Sequence, residues 1–310
     1  MLSRVAENIY WMARYIERAE NTARLISVNI NLMLDLPKKM HLGWGALIDI
    51  TGINDAFEQR FQEVNERSVV KFLVQDTSNP VSIIKSLSQA RENARTIRDF
   101  IPREAWEQIN ALYQFAKQNA NKALVQRQRY DFLTSLTLGT QTITGLLAGT
   151  MTHDEGYQFL RMGRNLERAD MSTRIIDVRS ETLLPDFDDT PAPFENIQWM
   201  SVLRSLSAYQ MYRRALNQPV RRSLVLKFLF TDVQFPRTYN HCVGEVFSCL
   251  ETLPRSDEPL RLCLHLRRTV EEEDYEQMTQ QRLHDFVDDL QIGLGNVNQS
   301  VYDQYFRSSE

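Results

Sequence analysis

The chain has 310 residues, of which 43% are hydrophobic, and a formal net charge of −4. This length fits two domains of about 150 residues each, with enough apolar side chains for a core in both. The slightly acidic balance argues against nonspecific nucleic-acid binding, which needs a clustered basic face.

The sequence shows no recognisable cofactor motif, metal motif or membrane segment. The three cysteines, Cys242, Cys249 and Cys263, are too few for a disulfide framework and lack the paired spacing of a zinc site. We find no glycine-rich phosphate loop, G-x-S-x-G elbow or H-E-x-x-H motif. No stretch has the layout of a signal peptide, and no apolar run reaches the roughly 20 residues of a membrane span. We therefore expect a cytoplasmic protein without a membrane anchor, metal or cofactor.

Hydrophobic periodicity predicts an all-α fold with about six helices in each half of the chain. In the first half we expect helices near 4–34, 45–64, 66–75, 80–99, 103–123 and 127–149. In the second half we expect helices near 152–181, 195–216, 219–231, 236–252, 257–278 and 280–306. A loop is expected at Leu184–Asn196, which holds three prolines and four acidic residues.

Local signals mark several of the helix starts. Pro80 and Pro102 stand where a first-turn proline would open a helix. Ser256 is followed by an aspartate and a glutamate, which also indicates a helix start. Thr152 and Glu155 have the spacing of a capping box.

A segment of 18 residues, 9–26, recurs at 159–176, and seven of the 18 aligned pairs are identical. Helices that share only an apolar pattern need not share charged residues. Here the charged residues recur as well, which indicates that their ion pairs have a role. The identical charged pairs are Arg14/Arg164, Glu17/Glu167, Arg18/Arg168 and Arg24/Arg174.

A second segment, 69–80, recurs at 225–236 with six identical pairs out of 12, and Trp44 aligns with Trp199 between the two segments. The period is far longer than the roughly 20–50 residues of a solenoid repeat. The preserved order predicts two tandem copies of one helical-bundle domain. The copies are expected at 1–150 and 151–310.

Polar residues line one face of the first helix in each copy, beside an apolar seam. We name this face the polar stripe: Arg14, Glu17, Arg18, Glu20, Asn21 and Arg24 in the first copy, and Arg164, Glu167, Arg168, Asp170 and Arg174 in the second. Helical spacing predicts that Arg14 reaches Glu17 at i+3, and that Glu20 pairs with Arg24 at i,i+4.

The sequence leaves three interpretations of the polar stripe open. A solvated helix face would contribute only about 0.2–0.5 kcal/mol per pair. Partly buried pairs would fix how helices meet, and one broken pair would then cost about 3–5 kcal/mol. A polar pocket would use arginine to bind a carboxylate or phosphate, and glutamate as acid, base or acceptor. The second interpretation is favoured, because the stripe borders the apolar seam and recurs in both copies.

The second repeated segment supplies further candidates, Lys71 and Asp76 in the first copy and Lys227 and Asp232 in the second. We favour a structural interpretation, with exposed lysines and with aspartates that close a turn before the next helix. A binding role is the alternative.

The residues around the first stripe resemble the signature of the alpha-E family, a bacterial all-helical domain with a Glu-Arg motif. The matching residues are Tyr10, Trp11, Arg14, Tyr15, Glu17, Arg18, Glu20, Asn21, Ala23 and Arg24. The segment 149–156, leading into Gly163-Arg164 and Glu167-Arg168, resembles the family's second motif. The resemblance covers essentially the whole chain, and tandem duplication is typical of the family.

The second copy departs from this pattern, because Leu160-Arg161 and Met171 stand at the positions of Tyr10-Trp11 and Asn21. If a pocket uses those positions, only the first copy is fully equipped. Tyr10 and Trp11 are therefore secondary candidates for a site.

The resemblance implies a context and no particular reaction. The family is associated with a peptide synthesis or modification system whose other members are circularly permuted ATP-grasp ligases, transglutaminase-like peptidases and an NTN-hydrolase-type peptidase. The first hypothesis is thus a non-catalytic helical partner of an ATP-grasp ligase or a transglutaminase-like peptidase, holding the enzyme or its peptide substrate. The second is a hydrolase or amide-transfer enzyme that uses the polar stripe. The third is a structural homo-oligomer of helical bundles.

Overall fold

The computed structural model of the protein describes residues 2–35, 43–182 and 192–307. All regular secondary structure in these ranges is helical, so the predicted all-α fold is confirmed. None of the helices described there combines the length and the apolar character needed to cross a membrane.

Seven α-helices precede residue 151, and their bounds follow in chain order. They are α1 Ser3–Asp35, α2 Gly45–Thr51, α3 Asn54–Glu58, α4 Glu66–Val74, α5 Ile83–Thr96, α6 Arg103–Asn119 and α7 Gln126–Thr150. Seven more follow: α8 Glu155–Thr182, α9 Ala192–Ser205, α10 Tyr209–Leu216, α11 Arg222–Thr231, α12 Tyr239–Glu251, α13 Asp257–Glu272 and α14 Gln280–Val301. A 3-10 turn, Ala120–Leu124, precedes α7, and a π turn, Tyr302–Phe306, follows α14.

The chain packs as two compact units. Among the described residues, the first comprises 2–31, 43–167 and 305–307, and the second comprises 32–35, 168–182 and 192–304. Packing and sequence duplication divide a chain by different criteria. A boundary between packed units can fall inside a helix, as it does in α8. The predicted copies at 1–150 and 151–310 therefore stay a prediction.

Two predicted helices are each split by a residue with a left-handed backbone. The helix expected at 45–64 is α2 and α3, with Gly52 at φ 66° between them. The helix expected at 195–216 is α9 and α10, with Ser207 at φ 54° between them. Glycine adopts this conformation freely and serine rarely does, so the second break could not be read from residue type.

Three local predictions need correction. Helix α8 is capped by Asp154, whose carboxylate accepts from the N–H of Gly156 at 2.9 Å, and not by Thr152. Helix α5 begins after Ser82, whose hydroxyl caps it, and not at Pro80. Helix α9 begins at Ala192, inside the loop predicted at 184–196, and the remainder of that loop lies outside the described residues.

Equivalent contacts recur in the two units. The side chain of Thr22 donates to the carbonyl of Val81, and that of Ser172 donates to the carbonyl of Arg237. Gly139 lies against Leu112, and Gly293 lies against Leu266, in each case without room for an added methyl group. The hydrogen-bonded pairs are offset by 150 and 156 residues, as in the sequence repeat, and the glycine and leucine pairs by 154. These offsets support the predicted duplication.

In the first unit, α1 is buried on more than its apolar seam. Ile9, Met12 and Ile16 of the seam are at most 5% exposed, while Glu17 and Asn21 of the polar stripe are 2% and 4% exposed. A helix enclosed on several faces lies in a core and not on a surface. Glu17 and Asn21 of the polar stripe are therefore surrounded by protein.

Gly163 sets the distance between α8 and α1. A Cβ atom at Gly163 would overlap the backbone carbonyl of Tyr10, which has no side-chain freedom to move aside. The two helix backbones can approach this closely only because the residue is glycine.

Replacing Gly163 by alanine should therefore lower the free energy of unfolding by about 1–3 kcal/mol, the usual cost of overpacking. Gly145→Ala is the matched control, since nothing lies within 4 Å of its added Cβ in α7. Alanine should stabilise that helix by about 0.5–1 kcal/mol. Urea denaturation of both variants measures the two effects, and equal behaviour of the two would contradict the close approach.

Candidate functional site

Glu167 belongs to the second sequence copy but packs in the first unit. Its carboxylate, on α8, is the centre of the polar stripe in that unit. Arg18 of α1 binds it with two nitrogens, Nε to Oε1 at 2.5 Å and Nη2 to Oε2 at 2.9 Å. Arg14, one turn earlier, donates from Nε to Oε2 at 2.8 Å. One carboxylate thus accepts three charge-assisted hydrogen bonds from two guanidinium groups. We name these three residues the Glu167 cluster.

Aromatic rings cover the guanidinium groups of the cluster. The guanidinium carbon of Arg14 lies 4.9 Å from the ring centroid of Trp11, and that of Arg18 lies 5.4 Å from the ring of Tyr15. Arg14 also donates to the hydroxyl of Tyr10 at 3.4 Å. Rings at this range attract cations and exclude water, so they add to the rigidity of the cluster.

Tyr10 itself belongs to an apolar layer. It is fully buried, and its ring centroid lies 5.3 Å from that of Phe306. Phe159 of α8 packs against Phe306 as well, at 5.6 Å. Burial raises the pKa of Tyr10, although the charge of Arg14 opposes the rise.

The charges of the cluster control the ionisation of Glu167, whose side chain is only 3% exposed. Burial alone raises the pKa of Glu167, but Arg14 and Arg18 outweigh it, so the pKa is lowered from its ordinary value of 4.5. In return, the carboxylate raises the pKa of Arg18 against the effect of burial. All three groups therefore stay charged near neutral pH.

A second ion pair extends the stripe along α1. Arg24 donates to Glu20 at 2.9 Å, so the predicted i,i+4 pair is confirmed. The other carboxylate oxygen of Glu20 accepts from Thr140 of α7 at 3.1 Å. The equivalent pair in the second unit, Arg174 and Asp170, has the same 2.9 Å length but is more exposed.

The remaining stripe residues lie on the same two helices. Glu17 and Asn21 are buried on α1, and Arg164 is half-buried on α8. Arg168, at the start of the second unit, donates to the carbonyl of Pro236 at 3.3 Å. Arg14 bonds to Glu167 and to Tyr10. The Arg14–Glu17 pair within α1 stays a prediction.

Burial of the carboxylates excludes one of the three interpretations of the polar stripe, the solvated helix face. Glu17, Glu20 and Glu167 are 2–4% exposed, so the solvated-face interpretation is wrong for them. The geometry of the Glu167 cluster is that of buried pairs that fix how α1 meets α8. A carboxylate with three donors and a lowered pKa is a poor proton donor or acceptor near neutral pH.

The further candidates from the second repeated segment have the structural roles that the sequence favoured. Lys71 and Lys227 are exposed on α4 and α11. Asp76 accepts from the N–H of Ser78, and Asp232 accepts from the N–H groups of the second and third residues after it. Both aspartates therefore close the turn before the next helix, as predicted.

Asp232 also borders a cleft of about 390 Å³ in the second unit. Met211 and Phe228 supply apolar walls, and Arg214 supplies a positive charge opposite in sign to that of Asp232. In the first unit the corresponding Asp76 forms an ion pair with Arg60 at 2.7 Å. The surroundings of the two aspartates thus differ, although both repeated segments have aspartate at this turn.

Comparisons with known proteins agree with the helical architecture. A family model described as a predicted alpha-helical domain with a conserved ER motif matches residues 1–306. An uncharacterized protein of Mycobacterium bovis is 24% identical over 271 residues, which are 82% of this chain and 30% of that protein. Uncharacterized proteins of two Mycobacterium tuberculosis strains match with the same identity and coverage. The chain spans about 30% of the length of these curated relatives. No solved structure matches the chain.

Replacing Glu167 by glutamine would leave Arg14 and Arg18 facing a neutral amide in a buried site. We expect the free energy of unfolding at pH 7 to fall by about 3–5 kcal/mol, measured by denaturant titration. Glu258→Gln is the matched control, because Glu258 pairs with Arg261 at an exposed surface and its loss should be too small to measure.

The pH dependence should identify the charge of Glu167 as the cause. The pKa of Glu167 is lower in the folded protein, so its contribution to stability is complete above about pH 4.5. That contribution is lost as the pH falls through the folded-state pKa. The stability difference between wild type and Glu167→Gln should therefore shrink below pH 4.5. A constant difference would show that the amide disturbs packing instead.

Proposed function

Because the chain belongs to the Alpha-E family, whose model matches residues 1–306, we propose that it is a non-catalytic helical component of a bacterial peptide synthesis or modification system. Its partner in this proposal is a circularly permuted ATP-grasp amide ligase, a transglutaminase-like peptidase, or both. The chain holds the enzyme or its peptide substrate. The catalytic groups, the nucleotide and the metal that takes part in catalysis belong to the partner.

The closed geometry of the Glu167 cluster is the observation that carries this proposal. Three hydrogen bonds of 2.5–2.9 Å bind the carboxylate to Arg14 and Arg18. Such a group stabilises the meeting of two helices and is poorly suited to proton transfer. The repeated charged residues therefore have a structural explanation, and catalysis is not needed to account for them.

The length of the relatives supports a protein partner. The matched region is 30% of each mycobacterial protein, so a further segment more than twice as long belongs to the same chain there. Regions joined in one chain stay at high effective concentration. We infer that the helical region and this further part of the relatives work together.

The cysteines fit a reducing cytoplasm and a non-catalytic chain. Cys242, Cys249 and Cys263 are buried cysteines outside any disulfide. Burial raises the pKa of Cys263 to about 12, so its nucleophilic thiolate is scarce near neutral pH. These features support the cytoplasmic location that we propose, and we assign no reaction to the thiols.

The alternative of a hydrolase or amide-transfer enzyme would require a different group. The lowered pKa of Glu167 argues against it as the general acid. The cleft beside Asp232, with Arg214 on its wall, is the feature that best favours a small-ligand site. A ligand found there would change the proposal from a partner protein to an enzyme or a binding protein.

Reconstitution with an ATP-grasp ligase from the same organism tests the partner. We expect the purified chain alone to convert neither ATP nor peptide, and the mixture to form amide bonds faster than the ligase alone. ADP release and mass spectrometry of the peptide measure both. The ligase without the chain is the control, and turnover of ATP or peptide by the chain alone would contradict the proposal.

The mycobacterial relatives allow a second test. The matched 271-residue region and the remainder of the protein can be produced as two separate polypeptides. If the helical region binds the remainder, the two should elute together from a sizing column at micromolar concentration. Independent elution would show that the regions share a chain without an interface.

A further inference from the structure

A second cluster of ionisable side chains connects α8 to α14 within the second unit. Nδ1 of His284 lies 3.1 Å from both carboxylate oxygens of Asp177. Nε2 of the same ring lies 3.8 Å from Oδ2 of Asp288. One ligand atom from each of the three residues lies within 4.8 Å of the others. We name these residues the Asp-His-Asp cluster.

Helical periodicity places two members of this cluster on one face of α14. His284 and Asp288 are four residues apart, so their side chains stand one turn above the other. The opposite face is apolar and buried, with Leu283 and Val287 fully enclosed. A pair at i,i+4 is the arrangement through which one helix can give two ligands to a single ion.

The third member comes from a distant part of the sequence. Asp177 lies on α8, 107 residues before His284. Its side chain is 12% exposed, whereas those of His284 and Asp288 are 47% and 57% exposed. The site therefore has one fixed inner ligand and two outer ligands that can adjust, with an open path for an ion from solvent.

The charges around the cluster favour a cation. Asp285 adds negative charge on the same exposed part of α14. Arg282 of that helix is bound to Glu273 at 2.6 Å, and Arg174 of α8 is bound to Asp170 at 2.9 Å. A concentration of carboxylates at a surface raises the local concentration of cations.

The first unit shows that helix packing does not require this cluster. At the repeat offsets of 150 for α1 and α8 and 154 for α7 and α14, the corresponding residues are Ser27, Tyr130 and Thr134. None of these is a metal ligand of the His, Asp or Glu type. The cluster is thus found in the second unit and not at the corresponding positions of the first.

We propose that Asp177, His284 and Asp288 form a binding site for a divalent transition-metal ion. Zn²⁺ fits the donors best, since it takes imidazole nitrogen together with carboxylate oxygen and completes its shell with water. Ca²⁺ and Mg²⁺ prefer shells of oxygen alone. A bound ion ties α8 to α14 inside the second unit. It therefore stabilises the folded protein by mass action.

Calorimetric titration of the purified full chain with ZnCl₂, after treatment with a chelator, tests the site. We expect saturable binding at one site that His284→Gln removes or weakens, and a rise in Tm when Zn²⁺ is present. Asp288→Asn is the sharper variant, because this exposed carboxylate can change without loss of folding. It should raise the Kd for Zn²⁺ more than about tenfold, since even outer-shell losses typically cost about 10–100-fold.

Asp289→Asn is the matched control, with the same loss of charge at the next position of α14 and outside the cluster. Its Kd for Zn²⁺ should stay close to that of the wild type. Without Zn²⁺, the Tm of Asp288→Asn should also equal that of the wild type. Absence of saturable binding would overturn the proposal, and so would an equal Kd for Zn²⁺ in wild type, His284→Gln and Asp288→Asn. Tighter binding of Mg²⁺ than of Zn²⁺ would overturn the assignment of the ion class.

Discussion

The desolvated carboxylate of Glu167 is the constraint on which the first unit depends. A buried charge is costly unless opposite charges and hydrogen bonds replace the lost water. Arg14 and Arg18 meet this requirement from adjacent turns of α1, so only one rotation and one height of α1 against α8 satisfy all three hydrogen bonds. Apolar contacts alone would tolerate neighbouring registers. The ion pairs therefore select one arrangement among several that a hydrophobic seam permits.

Close backbone approach and charge pairing act together at this helix crossing. Gly163 allows α8 to lie directly against the carbonyl of Tyr10, and Glu167 follows one turn later on the same face. The aromatic layer of Tyr10, Phe159 and Phe306 closes the adjoining space. Such a region is suited to holding two helices in one fixed arrangement.

The value of local sequence information differed between features. It correctly marked Glu20–Arg24 as a pair and Asp76 and Asp232 as turn residues, because these interactions lie within a few residues of each other. Periodicity predicted the helices with errors of a few residues at their ends. At α5 and α8, for example, the capping residues are Ser82 and Asp154. Periodicity also missed the break at Ser207, because serine seldom adopts a left-handed backbone and gives no signal there.

The sequence by itself determined the helical class, the positions of most helices, and which charged residues recur on one face. Periodicity carries this information because it reports neighbours along a single helix. Only the tertiary structure decided that Arg14 meets Glu167, 153 residues away, and that Asp177 meets His284, 107 residues away. Those pairings depend on the height and rotation of one helix against another. Core packing and close contacts such as Gly163 with Tyr10 set these quantities, and no local pattern encodes them.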